Sequence, residues 1–226
     1  MHFWDPEKAI YRGSRVPVVS LGDSVNVVLD AFRSGKLDRN RIYELRYDLM
    51  GGSEEGLRGF LEEVVNSGIR YIFTYRGETD KSLRIYRSSI EAGATLIDLD
   101  LRVARQLSNV RTKKIVSFHG SFQEARRLIP EMLDLDPLVI KIAPKFSSLQ
   151  EFLGSIPEVN QIRKDLQLPL CYSPMGTIPG MRFFSCIYLS DMCYVSWKKP
   201  TAEGQPTMAE YDKFIQLVHA GGSDHI

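Results

Sequence analysis

Two side chains with the chemistry to activate a ketone lie in apolar segments of the sequence. Lys141 stands within LVIKIA (138–143), and His119 ends KIVSFH (114–119). A neutral lysine amine adds to a carbonyl carbon, and burial among apolar residues disfavours the charged ammonium. An imidazole can transfer a proton at neutral pH. The two residues together predict a Schiff base on Lys141, with His119 moving a proton at the adjacent carbon.

Each of these two residues also has a structural interpretation. Lys141 could extend its ammonium to water from a strand end, and His119 could be a hydrogen-bonded structural group. The pair is more informative than either residue alone, because both stand near the ends of consecutive apolar segments. Adjacent strands are only about 4.8 Å apart, so an imidazole and an amine on neighbouring strands would flank the same small volume.

Further polar residues stand late in the other apolar segments. They are Ser20, Glu44, Arg46, Arg76, Asp98, Asp100 and Ser173, with Thr201 and Gln205 after the last segment. Because side chains alternate along a strand, Glu44 and Arg46 share one face, as do Asp98 and Asp100. These charges either converge on one cavity or form structural pairs at the rim.

The stretch MGTIPGMR (175–182) contains two glycines and a proline, which predicts a loop carrying Arg182. A guanidinium suits a substrate carboxylate because it binds both oxygens at once. A surface arginine is equally compatible with the local sequence. Gly176 and Gly180 could alternatively cradle a phosphate, although no specific phosphate pattern is present.

The elements that must position these residues repeat along the chain as a strand-like segment followed by an amphipathic stretch. The eight segments are VPVVSL (16–21), IYELRYD (42–48), YIFTYR (71–76), LIDLDL (96–101), KIVSFH (114–119), LVIKIA (138–143), LPLCYS (168–173) and MCYVSW (192–197). Apolar strands joined by helices predict a parallel sheet covered by helices. Eight units favour a single (β/α)8 TIM barrel over residues 1–226, with an open doubly wound sheet as the alternative. In such a barrel the site lies at the carboxyl ends of the strands.

The composition excludes several kinds of partner. The 226 residues include 29 basic and 28 acidic side chains, for a formal net charge of +1. Such a balance gives no overall field for nucleic acid or an anionic membrane. No apolar stretch approaches the roughly 18 residues of a membrane span, and the N-terminus lacks an apolar signal core. We therefore expect a cytoplasmic enzyme of a small molecule, with no nucleic acid and no membrane.

The cysteines and the missing motifs narrow the chemistry further. Cys171, Cys186 and Cys193 are odd in number and lack a C-x-x-C spacing, which favours buried free thiols over disulfides or a zinc site. The sequence has no H-E-x-x-H, Walker, G-x-S-x-G or G-x-G-x-x-G pattern. We expect no metal and no cofactor.

Seven short segments, taken together, resemble the type I 3-dehydroquinate dehydratases of the shikimate pathway. They are ELRYD (44–48), FTYR (73–76), LIDLDL (96–101), VSFHGSF (116–122), VIKIAP (139–144), MGTIPGMR (175–182) and KKPTAEGQP (198–206), in the same order as in that family. The resemblance implies a (β/α)8 barrel that eliminates water from 3-dehydroquinate in the syn sense, without a cofactor, to give 3-dehydroshikimate.

The resemblance also implies a role for each matching residue. Lys141 would form the imine with the ring ketone, and His119 would remove the neighbouring proton and later protonate the departing hydroxyl. Arg182 would bind the substrate carboxylate. The ring hydroxyls would be held by Glu44, Arg46, Arg76 and Gln205, with Ser20 and Thr201 as further contacts.

The sequence departs from the family after the third strand. Family members usually carry there a longer loop with an acidic residue that orients the histidine. The loop here is RGETDKS (76–82), so either Glu78 or Asp80 would take that role. Gly120 stands where the family often has aspartate.

Three matters stay open at this point. The enzyme could act as a monomer or a homodimer, either alone or fused to a shikimate dehydrogenase domain. Another Schiff-base barrel, such as a class I aldolase of a sugar phosphate, is the nearest alternative. A non-catalytic barrel kept as an interaction module is a more distant one, and it predicts loss of Lys141 or His119, which are both present.

Overall fold

Strands and helices alternate along the whole chain in the computed structural model, which describes residues 4–178 and 180–220. The eight strands are β1 Val16–Leu21, β2 Ile42–Arg46, β3 Arg70–Thr74, β4 Leu96–Asp100, β5 Lys113–Gly120, β6 Val139–Pro144, β7 Leu170–Tyr172 and β8 Met192–Ser196. The helices are α1 Pro6–Ala9, α2 Val25–Arg33, α3 Leu57–Asn66, α4 Thr79–Glu91, α5 Leu101–Gln106, α6 Phe122–Leu133, α7 Leu149–Asp165, α8 Met181–Phe184 and α9 Met208–Ala220. A π-helical turn, Ser185–Leu189, follows α8. Each predicted strand is confirmed.

The eight strands form one parallel sheet that bends into a nearly closed barrel. Their order is β7-β6-β5-β4-β3-β2-β1-β8, so β1 pairs with both β2 and β8. Strands β2 to β6 each lie between the strands before and after them in the chain. This is the sequential order of a (β/α)8 barrel, and it excludes the doubly wound sheet.

Among the described residues no strand ladder joins β7 to β8, and the barrel closes there through side-chain contacts and a backbone hydrogen bond. The buried carboxylate of Asp191 accepts a hydrogen bond from the backbone of Leu170 at 2.9 Å, and the Asp191 amide donates to the Leu170 carbonyl at 2.8 Å. The Tyr172 amide donates to the hydroxyl of Ser190 at 3.0 Å. Arg163 of α7 forms an ion pair with Asp191 at 2.8 Å. We call these contacts the β7–β8 clasp.

The inside of the barrel is divided into an apolar floor and a polar layer. The floor is formed by one inward residue from each strand: Val18, Ile42, Ile72, Leu96, Ile115, Val139, Cys171 and Met192. Side chains of a strand alternate between faces, so the residues two positions later also point inward. Those residues are Ser20, Glu44, Thr74, Asp98, Ser117, Lys141, Ser173 and Tyr194. The polar residues therefore converge above an apolar base, towards the carboxyl ends of the strands.

The main core lies between the barrel and the surrounding helices, whose apolar faces pack on the outward side of the strands. In α2, Val28, Leu29 and Phe32 recur at helical spacing and are buried there. The segment before β1 covers the bottom of the barrel, where Trp4 and Ile10 pack against the floor. Within the described ranges, no helix is both long and apolar enough to cross a membrane.

The cysteines differ in part from the expectation. Cys186 and Cys193 form a disulfide with their Cα atoms 5.2 Å apart, so the prediction of three free thiols is wrong for this pair. The π-helical turn doubles back into β8, and this brings two cysteines seven residues apart to bonding distance. The spacing alone carries no such signal. Cys171, in the barrel floor, is free and buried.

Candidate active site

A cavity of about 410 Å³ opens at the carboxyl ends of the strands. Eight of the predicted site residues line it: Glu44, Arg46, Arg76, His119, Lys141, Arg182, Thr201 and Gln205. Asp100, Arg102, Ser173, Met175, Tyr194 and Glu203 line it as well. The sequence-based prediction therefore found most of the cavity, and residues at or just beyond the carboxyl ends of seven strands, β2 to β8, contribute to it.

Lys141 lies in the polar layer and is buried, but it is not unpaired. Its Nζ is 2.8 Å from Oδ2 of Asp98 and lies over the ring of Tyr194, 3.6 Å from the centroid. The expectation of an isolated amine in an apolar strand is therefore corrected, because β4 and β8 supply a carboxylate and an aromatic face inside the barrel. The structural alternative, in which the ammonium reaches bulk water, is excluded by this burial.

Asp98 links three strands through its two carboxylate oxygens. Oδ1 accepts from Nη2 of Arg76 at 2.7 Å, and Oδ2 accepts from Lys141 and from the Tyr194 hydroxyl at 3.2 Å. Burial alone would raise the pKa of Asp98, but the Arg76 guanidinium and the Lys141 ammonium lower it well below its usual range. Asp98 is thus a fixed anion that anchors Lys141. The sequence indicated that Asp98 shares one strand face with Asp100, but it did not predict a role for Asp98.

His119 stands one layer above Lys141. Ser117 of β5 pairs in register with Lys141, and His119 follows two positions later on the same face, opposite Ala143. The imidazole is about one-third exposed, with 32% of its side-chain surface accessible. Burial lowers the pKa of His119, and the nearby Asp100 carboxylate opposes that effect only in part. A neutral imidazole at pH 7 is suited to accept a proton.

Arg182 is buried at the cavity wall, on helix α8 and not on a loop as expected. Gly180, with a left-handed φ of 75°, ends the preceding turn and starts this helix. Among the described residues, the Arg182 side chain has no carboxylate partner: Nη2 donates to the Glu203 carbonyl at 3.5 Å, and the buried Nε has no hydrogen-bond partner. Burial lowers the pKa of Arg182 to about 10. Such a buried cation is suited to bind an anion. Its burial also excludes the alternative that Arg182 is a surface side chain.

A hydrogen-bonded network surrounds Glu44 on the opposite wall. The Ser20 hydroxyl donates to Glu44 Oε2 at 2.5 Å, and Nε2 of Gln205 donates to Ser20 Oγ at 3.0 Å. The amide oxygen of Gln205 accepts from the backbone and hydroxyl of Thr201 at 2.8 and 2.9 Å. Ser20 does not line the cavity itself but fixes the two side chains that do.

Arg46 is more fully occupied than the other cavity arginines. Its Nε and Nη2 bind both oxygens of Asp48, at 3.0 and 2.7 Å, and its Nη1 donates to the Thr201 carbonyl at 3.1 Å. Arg76, in contrast, leaves a buried Nη1 without a partner in the part of the chain that the structure describes. The buried arginine donors of the cavity that lack a partner there therefore belong to Arg76 and Arg182.

Glu78 and Asp80 are not brought to the histidine. Both carboxylates are exposed at the start of α4, outside the cavity lining, and neither has a hydrogen bond or ion pair with His119 among the described residues. The carboxylate beside His119 is that of Asp100, at the end of β4, with its Oδ2 3.9 Å from Nδ1. An acidic residue therefore lies beside His119, but it comes from the end of β4 and not from the loop after β3.

The closed barrel, with a polar cavity at the carboxyl ends of its strands, is the architecture of a (β/α)8-barrel enzyme. A sequence model of the family described as type I 3-dehydroquinase matches residues 19–221. The chain belongs to the type I 3-dehydroquinase family, and this membership makes it a hydro-lyase.

Individual relatives agree with this assignment. The chain is 32% identical over 209 residues to a 3-dehydroquinate dehydratase of Thermoplasma acidophilum, covering 88% of this chain and 89% of that one. It is 28% identical to a protein of the same name from Thermoplasma volcanium, covering 92% and 97%. A solved 3-dehydroquinate dehydratase of Geobacillus kaustophilus superposes with a TM-score of 0.77 at 15% identity, covering 92% of each chain. At that identity the superposition supports the fold.

Proposed function

We propose that this chain dehydrates 3-dehydroquinate to 3-dehydroshikimate through a Schiff base on Lys141. The observation that carries the proposal is the position of Lys141, a buried amine at the base of the polar cavity and one layer below His119. The unpaired guanidinium of Arg182 lines the same cavity. A nucleophile, a base and a carboxylate-binding group thus surround one volume, which suits a small carboxylated ketone.

The first step is imine formation. The Lys141 amine attacks the ketone carbon, and the carbonyl oxygen leaves as water. Attack requires the neutral amine, so one proton must first leave the ion pair with Asp98. His119, as a neutral imidazole, accepts this proton and returns it to the carbonyl oxygen as that oxygen leaves as water, so that the imidazole is neutral again before the elimination.

The elimination follows from the imine as an electron sink. His119 takes the proton from the carbon next to the iminium, and the bonding electrons form an enamine. Those electrons then form the new C=C bond as the hydroxyl on the next carbon departs, protonated by His119, as water. Hydrolysis of the conjugated iminium releases 3-dehydroshikimate, and both Lys141 and His119 return to their starting states.

The remaining cavity residues hold the substrate. Arg182 binds the carboxylate, since it is the buried cation whose Nε lacks a partner. Glu44, Gln205 and Arg76 hold the ring hydroxyls, while Arg46 makes a lesser contact because Asp48 occupies its fork. Ser20 and Thr201 act mainly by fixing Glu44 and Gln205. The choice between monomer and homodimer stays open, and the cytoplasmic location stays a prediction.

Borohydride trapping tests this function. Borohydride added with 3-dehydroquinate should reduce the imine, inactivate the enzyme and leave a stable mass adduct on Lys141, located by peptide mass mapping. Lys141→Ala should show neither the adduct nor turnover, measured as the ultraviolet absorbance of the enone product. Lys145→Ala is the matched control, because Lys145 stands just beyond β6 but is exposed and paired with Glu203. Lys145→Ala should keep both the mass adduct on Lys141 and normal turnover.

Two outcomes would contradict the proposal. Full activity of Lys141→Ala, or an adduct on a different lysine, would remove Lys141 from the mechanism. Trapping with a sugar phosphate but not with 3-dehydroquinate would instead support the aldolase alternative.

A further inference from the structure

The carboxylate of Asp100 faces the histidine ring from the neighbouring strand. In the β4–β5 register Asp100 lies opposite Ser117, and His119 follows Ser117 two positions later on the same face. This diagonal placement puts Asp100 Oδ2 3.9 Å from His119 Nδ1. The two side chains line the same cavity.

Asp100 is itself held in a fixed orientation. Its Oδ1 accepts from the backbone amide and from Nε of Arg102, both at 3.1 Å, so that Asp100 is the N-cap of α5. Oδ2 is left to face His119. Burial alone would raise the pKa of Asp100, but the contacts with His119 and Arg102 lower it to about 2. Asp100 is therefore an anion throughout the range in which the imidazole titrates.

We propose that Asp100 is the positioning residue of His119. It accepts the Nδ1 proton, so that the ring keeps Nε2 as the basic nitrogen and presents it to the substrate. The 3.9 Å contact shortens to a hydrogen bond in the substrate complex, as catalytic contacts in unliganded enzymes commonly do. Asp100 stays ionised and transfers no proton. The inference rests on the proposed function, in which His119 is the base.

The position of Asp100 also explains why the loop after β3 is short. Glu78 and Asp80 are exposed at the start of α4 and do not reach the cavity. With the orienting carboxylate at the end of β4, His119 needs no acidic residue from that loop. A rigid strand end replaces a loop as the source of the carboxylate.

The test compares Asp100→Asn with Glu78→Gln and Asp80→Asn. Asparagine caps a helix as well as aspartate does, so the start of α5 is preserved. We expect kcat of Asp100→Asn to fall on the order of 10-fold or more, with KM little changed, because part of the proton-transfer contribution is lost. The other two variants should keep kcat. Asp100→Glu should recover part of the loss.

The pH profile separates positioning from a structural role. Charged groups near His119 are Arg76 just after β3, Asp98 and Asp100 on β4, and Lys141 on β6. In the unmodified enzyme the Asp100 carboxylate raises the pKa of His119. The substitution Asp100→Asn removes this carboxylate and leaves the other charged groups in place. The acidic limb of kcat/KM, which reports the base, should therefore move to lower pH in this variant and stay in place in Glu78→Gln.

A measurement on the unmodified enzyme completes the test. The ¹⁵N chemical shifts of His119, assigned by their loss in His119→Gln, should show a protonated Nδ1 and an unprotonated Nε2 in the substrate-analogue complex. The opposite tautomer, or an unchanged kcat in Asp100→Asn, would overturn the proposal, as would a loss of kcat confined to Glu78→Gln or Asp80→Asn. If the unmodified enzyme neither turns over 3-dehydroquinate nor is trapped on Lys141, the proposed function itself fails. The tautomer measurement alone would not show that failure, so the two outcomes are distinguishable.

Discussion

Replacing Arg182 with methionine should weaken substrate binding without weakening the fold. The side chain is buried and its Nε lacks a hydrogen-bond partner, and burial lowers its pKa from the ordinary 12.5 to about 10. Each pKa unit corresponds to about 1.4 kcal/mol, so keeping this group charged in the folded protein costs about 3 kcal/mol. The cost is present at all pH values below about 10 and is relieved only as the pH rises from 10 towards 12.5. Methionine removes the charge and keeps most of the apolar stem.

Although Arg182→Met should not destabilise the fold, it should impair substrate binding. A two-pronged, charge-assisted contact with the substrate carboxylate should be worth on the order of 2 to 4 kcal/mol, which corresponds to a rise in KM of roughly 30- to 700-fold. Steady-state kinetics on 3-dehydroquinate gives KM, and urea unfolding without substrate gives the free energy of unfolding. The unfolding free energy of Arg182→Met should equal or exceed that of the unmodified enzyme.

The control is Arg58→Met, because Arg58 is an exposed arginine of α3 paired only with Glu62. It should change neither KM nor stability by much. An unchanged KM in Arg182→Met would assign the carboxylate to another cation, with Arg76 or Arg46 next in line. A loss of several kcal/mol in stability would show instead that Arg182 is a structural side chain, and would refute the argument from its unpaired burial.

Two further predictions concern the base and the clasp. His119→Ala should still be trapped slowly by borohydride on Lys141, while dehydration falls by about 10² to 10⁴ or more, since this imidazole serves several steps; near-normal turnover would remove His119 from the mechanism. Asp191→Asn should lower the free energy of unfolding by about 2 kcal/mol, less than a fully buried ion pair would lose because Arg163 is 26% exposed. Denaturant unfolding measures this loss, and a stability equal to that of the unmodified protein would mean that the Ser190 hydroxyl and the backbone bond between residues 191 and 170 suffice to close the barrel.

The barrel could be predicted from the sequence because each of its strands carries a local signal. Segments such as LVIKIA (138–143) are nearly continuous in apolar residues, which reflects burial on both faces of a parallel sheet. The alternation of Asp98 with Asp100, and of Glu44 with Arg46, likewise predicted charges on one face. Strand period predicted the shared faces and left open whether the charges converge; the structure brings Glu44, Arg46 and Asp100 to one cavity.

Contacts between strands were beyond the reach of the sequence. The ion pair of Lys141 with Asp98 joins residues 43 positions apart in the chain, on two strands that lie on either side of β5. Arg182 was expected on a loop because glycine and proline precede it, yet a single helical turn follows Gly180. The acidic neighbour of His119 was sought in the loop after β3 because the family places it there. Register, which decides which side chains lie diagonally opposite, is set by packing of the whole barrel.

The β7–β8 clasp ties barrel closure to the chemistry above it. Seven of the eight junctions around the ring are backbone ladders, and the remaining one depends on side chains such as Asp191. Arg182 lies in the segment that spans this junction, whereas Lys141 stands on β6, which is laddered to β7. A substrate held by both would bridge the weakest point of the ring. Substrate affinity is then thermodynamically coupled to local opening of the barrel between β7 and β8, so that each bound substrate molecule also stabilises the closed ring.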